Sequence, residues 1–254
     1  MITIERKLMN VKIKINYFRN EKHPRESKVP LTCYLHSLSP EGLSNSYETL
    51  QIDLQKDESE LLKEMNKTTR RQVRRGEELE LEHIVIENPT DQDLLEFQNF
   101  YNDFAKDKKT HSCNFYHMKT MKLLRDTKSL LITYMKDSKN ILCYRVYIID
   151  DKVAMNLYSA STFRKIDNPE FKKMMSQANR FLTWTSILWF KKNDYELYDF
   201  GSLTNDENIR RFKVGFGGEI IPVYFGYRAG TITGFILLKM RDLKFIVSAI
   251  RKIK

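Results

Sequence analysis

The chain has 254 residues, of which 41% are hydrophobic and 12% are aromatic. This length suits one large domain or two small ones with a sizeable core, so disordered, collagen-like and low-complexity proteins are excluded. The formal net charge of +10 indicates a polyanionic or phosphorylated partner, or an anionic membrane surface, and carries no information about the fold.

The positive charge is concentrated in three short segments. Met1–Pro30 carries eight Lys and Arg against three acids, whereas Lys63–Arg75 and Lys239–Lys254 each carry six against one. Each segment therefore has a net charge of +5, and the remainder of the chain is acidic. Such a concentration of cations makes these segments candidates for a binding element.

No segment has the pattern of a membrane span, a leader or a metal site. The longest charge-free apolar stretch near the C-terminus, Ala229–Leu238, has ten residues, whereas a bilayer span needs about twenty. Met1–Asn16 lacks the long apolar block of a signal peptide. The three cysteines are widely spaced, which predicts neither disulfides nor a bound metal and favours a reducing cytosol.

The first fifty residues are predicted to form strands. Val11, Ile13 and Ile15 alternate with polar residues, which is the period of a half-buried strand. Val29–His36 and Tyr47–Leu54 are two further candidate strands, separated by a turn that contains Pro and Gly.

An amphipathic helix is predicted next, from a capping box at Asp57 and Glu60 to about Gly76. One face is apolar from Leu62 to Val73, and cations occupy a sector about 100° wide on the opposite face. A solvated basic surface is the simplest interpretation of such a face, and an anion site is the alternative. The cations are Lys63, Lys67, Arg70, Arg71 and Arg74.

Beyond Gly76 the predicted order is β-α-α-β-β-β-α-β-α-β. Short links between three consecutive strands favour antiparallel hairpins, and Asn168-Pro169 caps a long helix. This order predicts an α+β fold with a mixed, mainly antiparallel sheet and one long crossover helix. The strands are Glu80–Ile86, Leu130–Lys136, Ile141–Ile149, Lys152–Ala160, Tyr195–Phe200 and Ile220–Tyr227. The helices are Asp91–Lys106, Tyr116–Asp126, Asn168–Lys191, Thr204–Val214 and Thr231–Lys254.

Two segments, taken with this order, resemble a known family. The first is Met65–Arg75 (MNKTTRRQVRR), and the second joins Tyr198–Gly201 (YDFG) to Ile209–Gly218 (IRRFKVGFGG). They are similar to the FemA/FemB/FemX family of peptidoglycan interpeptide-bridge aminoacyltransferases, whose domains have the GNAT fold. The resemblance covers Gln51–Tyr227 and leaves an N-terminal half shorter than that of the family.

The resemblance implies a division of the chain into three parts. Residues 1–56 would be a strand-rich N-terminal extension or a truncated GNAT-like half. Residues 57–227 would be a GNAT-like acyltransferase domain entered through the arginine-rich helix, and residues 228–254 a basic amphipathic helix. The C-terminal helix either docks on the sheet or contacts an anionic membrane surface.

The resemblance also implies a functional pair at Phe212-Lys213, where the ammonium group would stabilise an oxyanion or a phosphate. A solvated lysine on a short helix is the alternative. Asp199 would orient a substrate amine or cap a turn, and Tyr158 would contact substrate or pack in the sheet. The predicted phosphate-binding residues are arginines, because guanidinium groups bind phosphates through two hydrogen bonds. They are Arg70, Arg71, Arg74, Arg164 and Arg211.

The donor is either aminoacyl-tRNA or acyl-CoA, and no bound cofactor is expected. GNAT enzymes that use acyl-CoA bind its pyrophosphate with a glycine-rich loop that opens the helix after the central strand. Here that loop, Arg164–Pro169, has no glycine, and Pro169 lacks an N–H group. The loop therefore argues against a standard CoA site.

Three functions are compatible with these patterns. The first is acyl or aminoacyl transfer to an amine of a cell-envelope precursor, in peptidoglycan or polysaccharide synthesis, by a cytoplasmic transferase at or near the inner membrane face. The second is an acyl-CoA-dependent N-acyltransferase acting on an amino sugar or nucleotide sugar. The third is a nucleic-acid-binding module that uses the arginine-rich helix. The expected partners are a phosphorylated or nucleotide-linked small molecule, tRNA if it is the donor, and an anionic membrane.

Overall fold

The structure is a computed structural model that describes residues 1–8, 10–20, 29–40, 43, 45–163 and 168–241. The chain divides into two compact units. Unit 1 comprises Met1–Glu48 and Pro222–Lys254, and unit 2 comprises Thr49–Ile221.

Beyond Gly76 the helices and strands follow the predicted order, with small differences at their ends, whereas the strand Ile2–Leu8 was not predicted. The strands are β1 (Ile2–Leu8), β2 (Val11–Tyr17), β3 (Leu31–Ser37), β4 (Asn45–Asp53), β5 (Glu82–Ile86), β6 (Leu130–Lys136), β7 (Ile141–Ile149), β8 (Val153–Ser161), β9 (Leu197–Ser202) and β10 (Glu219–Ala229). The helices are α1 (Glu58–Glu64), α2 (Lys67–Glu77), α3 (Asp91–Lys108), α4 (Phe115–Asp126), α5 (Pro169–Lys192), α6 (Glu207–Val214) and α7 (232–241).

Unit 1 contains a small sheet. Strand β1 pairs with β2 in antiparallel orientation, β2 runs parallel to β3, and β10 is antiparallel to β3. Ile13 and Ile15 of β2 are buried while Lys12 is exposed, so the alternation in the sequence matches the two faces of the strand. Helix α7 follows β10 in this unit, and residues 242–254 of the predicted C-terminal helix lie outside the described residues.

Unit 2 contains a mixed, mainly antiparallel sheet, as the element order predicts, but the last predicted strand, Ile220–Tyr227, belongs mostly to unit 1 as part of β10. Strands β5, β6, β7 and β8 pair consecutively in antiparallel orientation. Strand β9 then joins β8 in parallel, and β4 joins β9 in antiparallel orientation. The connection from β8 to β9 runs through α5, which is the long crossover helix expected between parallel strands.

Helix α5 is the main helical partner of the unit 2 core. Asn168 caps it by accepting hydrogen bonds from two backbone amides, and Pro169 occupies its first position, as the sequence predicts. Helix α2 packs closely on it, because a Cβ atom at Gly76 would lie only 2.5 Å from Cβ of Phe181. The core includes Leu50, Ile52, Leu131, Tyr147, Trp184, Ile187, Phe190, Tyr198, Phe200 and Phe216.

The predicted single arginine-rich helix is wrong, because the segment forms two helices. Met65 has an extended backbone conformation, with φ −62° and ψ 140°, and Asn66 caps α2 by accepting a hydrogen bond from the Thr69 amide at 2.8 Å. Asparagine side chains bond locally to the backbone, which favours a cap over a helix interior. Lys63 therefore lies on α1, apart from the arginines of α2.

The cap of α6 also differs from the prediction. Asp206, and not Thr204, is the N-cap, and its carboxylate accepts hydrogen bonds from the amides of Asn208 and Ile209 at 3.0 and 3.2 Å. The helix still ends at Val214, so Lys213 lies in its last turn, as predicted.

Candidate functional site

The candidate site lies where β8 and β9 stop pairing. Their parallel ladder has three pairs, from Val153 with Leu197 to Met155 with Asp199. Opposite β7, β8 contains a bulge at Leu157, because Tyr158 pairs with Val146 while Asn156 pairs with Tyr147. Bulges of this kind redirect side chains and end pairing near functional sites. Beyond the pair Met155–Asp199, β8 and β9 are no longer paired with each other, and we call this part of the two strands their open end.

Asp199 is a fully buried carboxylate at this open end. It accepts hydrogen bonds from Thr49 Oγ1 at 2.5 Å, Gln51 Nε2 at 2.8 Å and the Gly201 amide at 2.6 Å. Gly201 has a φ of +65°, and a Cβ atom there would lie 2.6 Å from the carbonyl oxygen of Asn156, so this position in β9 requires glycine. Asp199 thus holds the irregular segment near the end of β9, where the pairing of β9 with β4 shifts register.

Lys213 reaches the same segment of β9 from α6. Its Nζ donates hydrogen bonds to the carbonyl oxygens of Phe200 at 2.7 Å and Ser202 at 2.8 Å. Burial lowers the pKa of Lys213 to about 8, with Asp199 opposing the shift and the cation of Arg145 adding to it. An ammonium group has three protons, so one remains for a ligand.

Arg145 is a buried cation, with only 3% of its surface exposed. Its guanidinium donates to the Tyr144 carbonyl at 3.0 Å, to Asn179 Oδ1 at 2.5 Å and to Thr183 Oγ1 at 3.2 Å. These acceptors, and the Asn179 carbonyl at 3.5 Å, are neutral, and no ion pair joins Arg145 to a carboxylate in the described part of the chain. Its positive charge is therefore not cancelled by a direct acidic partner.

Arg180 is a second cation beside the Phe212 ring. Its Cζ lies 4.9 Å from the ring centroid, whereas Cζ of Arg145 lies 5.9 Å from it. Ser176 accepts a hydrogen bond from Arg180 Nη1 at 2.9 Å, but within the described part of the chain the buried Nε of Arg180 has no hydrogen-bond partner. Burial lowers the pKa of Arg180, and the nearby Arg211 lowers it further. This arrangement suits an anion, because an unpaired buried donor next to uncancelled cations is costly.

The structure brings some of the predicted residues together and separates others. Lys213, Phe212 and Asp199 lie at the open end of β8 and β9. Arg211 is exposed; its Nη2 donates to Asn208 at 2.8 Å, and its charge acts on Arg180. Residue Arg164 lies outside the described residues.

The other predicted residues lie elsewhere in unit 2. Tyr158 packs against the rings of Phe97, Tyr101 and His117, at centroid distances of 5.7, 5.1 and 6.2 Å. The remaining three are on α2: Arg70 is half-buried, and Arg71 and Arg74 are exposed. Within the described ranges none of these three arginines has an ion pair or a side-chain hydrogen bond.

Two cations of the site, Arg145 and Arg180, were missed by the sequence analysis, although the sequence carries a signal for each. Arg145 is the single charged residue in the strand ILCYRVYII, and Arg180 is the single charged residue between Lys173 and Lys191. A charge inside a long apolar segment is buried, and a buried charge needs polar partners. Thr49 and Gln51 had no comparable signal, because polar residues are common in a strand.

Three further observations concern metal ligands, membrane spans and cysteines. Among the described residues, no group of three His, Cys, Asp or Glu side chains is placed to bind a metal ion. No helix in that part of the chain is long and apolar enough to cross a membrane. The three cysteines are free and buried.

Comparison with known proteins adds evidence on the fold. No protein-family model and no curated protein matches the chain. Solved structures do, and one of them is FemX, with a TM-score of 0.62 and 10% identity over 92% of this chain and 85% of that one. The chain has the FemX fold. The α+β, GNAT-like fold class predicted from the sequence is therefore confirmed.

Two further structures are similar over most of their length. One is the C-terminal domain (DUF2156) of a putative lysylphosphatidylglycerol synthetase from Agrobacterium fabrum, with a TM-score of 0.55 and 14% identity over 95% of this chain and 85% of that one. The other is L-PGS from Bacillus licheniformis, with a TM-score of 0.54 and 14% identity over 94% of this chain and 84% of that one. At such identities the likeness concerns the fold, and membership of the FemA/FemB/FemX family stays a prediction.

Proposed function

We propose that this protein is an acyltransferase that forms an amide on an amine of a phosphorylated cell-envelope precursor, with an acyl or aminoacyl group as the transferred unit. The observation that carries the proposal is the position of Lys213. Its ammonium group is fixed by two backbone carbonyls at the open end of β8 and β9, beside buried Asp199 and Arg145. The name of one similar structure, a lysylphosphatidylglycerol synthetase, refers to a product that contains an aminoacyl group.

The chemistry needs a donor ester or thioester and a neutral amine. The amine nitrogen attacks the donor carbonyl carbon, and the resulting tetrahedral intermediate carries an oxyanion. Lys213 donates its remaining proton as a hydrogen bond to that oxygen, which stabilises the transition state more than the ground state. When the carbonyl re-forms, the bond to the leaving oxygen or sulfur breaks, and the proton lost by the amine goes to the leaving group.

Lys213 must be protonated to act in this way. With a pKa of about 8 it is mostly charged at neutral pH, and it already has the backbone carbonyls of Phe200 and Ser202 as partners. The fixed ammonium group needs little reorganisation when the oxyanion forms, which is the advantage of a preorganised donor.

The phosphate of the acceptor would bind at Arg180. Among the described residues the buried Nε of Arg180 has no hydrogen-bond partner, and Arg211 places a second positive charge near it. Two neighbouring guanidinium groups suit a phosphate or diphosphate. Arg70, Arg71 and Arg74 remain candidates for a further polyanion contact, such as a tRNA donor, and their exposure permits it.

The donor is more consistent with aminoacyl-tRNA than with acyl-CoA. In α5 the amides of Glu170 and Phe171 are already hydrogen-bonded to the Asn168 side chain, at 2.8 and 3.1 Å, and Pro169 has no amide proton. A pyrophosphate at this helix end would find few free donors. We therefore expect acetyl-CoA to bind with a dissociation constant above about 1 mM, measured by calorimetry. Micromolar binding would favour the CoA-dependent N-acyltransferase instead.

The proposal is tested by amide formation. Charged tRNAs and acyl-CoA are supplied as donors to a UDP-linked muropeptide, and the product is detected by mass spectrometry. Absence of an amide product with every donor would overturn the proposal for this class of acceptor. With the active donor, Lys213→Met should lower kcat by about 10²–10³-fold with little change in KM, because the lost contact is made mainly in the transition state.

Two controls separate chemistry from folding. Because Lys213 is bound to two carbonyls and partly buried, its loss should also cost about 1–3 kcal/mol of stability, so unfolding of the variant is measured in parallel. Lys119→Met makes the same change at an exposed helical lysine and should leave kcat unchanged. Near-normal turnover by folded Lys213→Met protein would contradict the proposed role.

A further inference from the structure

Helix α7 packs against the rest of unit 1 at its smallest residue, Gly234. A Cβ atom at Gly234 would lie 1.7 Å from the carbonyl oxygen of Pro30, so glycine is needed for the helix to approach the backbone there. The amide of Gly230 donates a hydrogen bond to the same Pro30 oxygen at 3.0 Å, just before the helix begins. The face of α7 that contains Gly234 is therefore its inward face.

The outward face is apolar. Ile232 and Ile236 lie about 160–200° around the helix from Gly234, at about 100° per residue. Their surfaces are 80% and 51% exposed, and Phe235 and Met240 beside them are 54% and 42% exposed. An ordinary surface helix turns its polar side to water, so this arrangement is the reverse of the usual one.

One cation lies on this apolar face, in a unit that is basic as a whole. The Lys239 ammonium lies 5.4 Å from the centroid of the Phe235 ring, on the outward side of the helix. Over the whole of unit 1 the sequence has 15 Lys and Arg against 6 acids, whereas unit 2 has 28 against 27. Unit 1 therefore holds +9 of the net charge of +10.

We propose that α7 binds in the interface of an anionic phospholipid membrane, with Ile232, Phe235 and Ile236 among the acyl chains and Lys239 at the headgroups. An amphipathic helix of this kind combines apolar burial with attraction to anionic lipid. The long lysine side chain keeps its charge at the headgroup level while its methylene groups contact the apolar layer.

The exposed side chains and the charge favour a membrane over the other possible occupants. Three of the four exposed apolar residues of α7 are aliphatic, and aliphatic side chains gain nothing from a phosphate backbone or from base stacking. A second copy of this chain would bring another unit with a charge of +9 against the first, which is unfavourable. An anionic bilayer would both bury the apolar face and attract the positive charge.

The test is vesicle sedimentation with the full-length protein. Vesicles contain phosphatidylcholine alone or with roughly a third of phosphatidylglycerol, an anionic fraction sufficient for electrostatic attraction. The protein should bind the anionic vesicles and bind the neutral ones much more weakly. The double variant Ile232→Ser/Ile236→Ser should bind the anionic vesicles at least about tenfold more weakly, because two exposed isoleucines lose their burial.

A matched control uses exposed aromatic residues of unit 2. Phe115 and Tyr116 are 72% and 55% exposed, and the variant Phe115→Ser/Tyr116→Ser should bind the vesicles like the unmodified protein. Equal binding by the Ile232/Ile236 variant, or equal binding to neutral and anionic vesicles, would overturn the proposal.

Two other outcomes would also overturn it. One is a concentration-dependent dimer in sedimentation velocity that the Ile232/Ile236 variant abolishes, since a second copy would then cover the face. The other is an equal loss of RNA binding and vesicle binding in this variant, which would indicate a general polyanion site. These readouts need no catalysis, so their failure is distinct from failure of the proposed acyl transfer.

Discussion

The two units of this protein use charge in opposite ways. Unit 2 has a net charge of +1, yet it buries Arg145, Asp199 and most of Lys213 at one end of its sheet. Unit 1 has a net charge of +9 and combines it with the exposed apolar face of α7. We therefore expect the chemistry of unit 2 to depend on the position of each buried charge. We expect the binding of unit 1 to a membrane to depend on its total charge.

The physical reason for this difference is solvent. A charge removed from water interacts strongly with its neighbours, and added salt screens it little. Exposed charges act together over longer distances and are screened by salt. We therefore expect the chemistry of unit 2 to change little with ionic strength and the surface attraction of unit 1 to weaken with it.

The largest expected effect is on the stability of unit 2. Asp199→Ala leaves Thr49, Gln51 and the Gly201 amide without their shared acceptor, and we expect a loss of about 3 kcal/mol or more. The measurement is urea unfolding followed by tryptophan fluorescence. Both tryptophans of the chain, Trp184 and Trp189, belong to unit 2, so this signal reports that unit.

An exposed charge of unit 1 provides the matched comparison for Asp199→Ala. Lys239→Met changes a side chain on the outward face of α7 and should alter the free energy of unfolding by no more than about 0.5 kcal/mol. Because the tryptophans report unit 2 alone, unfolding of both variants is also followed by far-UV circular dichroism, which reports both units. If Asp199→Ala had an effect as small as Lys239→Met, the buried carboxylate would not hold the end of β9, and the contrast between the units would disappear.

Much of unit 2 could be predicted from sequence because its signals are local. The cap at Asn168-Pro169 located α5, and the glycine-rich end of IRRFKVGFGG located the turn after Lys213. The other polar residues of the site could not be predicted in the same way, because Arg145 and Thr49 come from strands distant from Lys213 and Asp199 in the chain.

The arginine-rich segment shows a different limit. Its apolar residues keep one helical period across Met65 and Asn66, so periodicity alone predicts a single helix. The local hydrogen bond from the Thr69 amide to Asn66 overrides that period and starts a new helix. Residues in such a segment share a helical face only if the helix is continuous.

The second expected effect, smaller than the loss of stability in Asp199→Ala, is a change in the pH dependence of activity. If protonated Lys213 stabilises the oxyanion, kcat should fall as the pH rises through about 8, by about tenfold per pH unit above it. Arg145 disfavours the ammonium form and Asp199 favours it. Arg145→Gln should therefore move this limb to higher pH, and Asp199→Asn should move it to lower pH.

These opposite shifts check the assignment, because general loss of folding would move both variants in the same direction. A limb that stays at the same pH in both variants would show that another group controls it. The profile is measured under saturating substrate, with unfolding of each variant recorded over the same pH range.

The most direct test of the account is the titration of Lys213 itself. NMR of protein labelled with ¹⁵N-lysine follows each ammonium group, and the signal missing from Lys213→Met identifies this one. The account predicts a pKa of about 8 that changes little between low and high salt, because burial and two neighbouring charges set it. A titration at the ordinary lysine value of 10.5 would contradict the buried site on which the proposed chemistry depends.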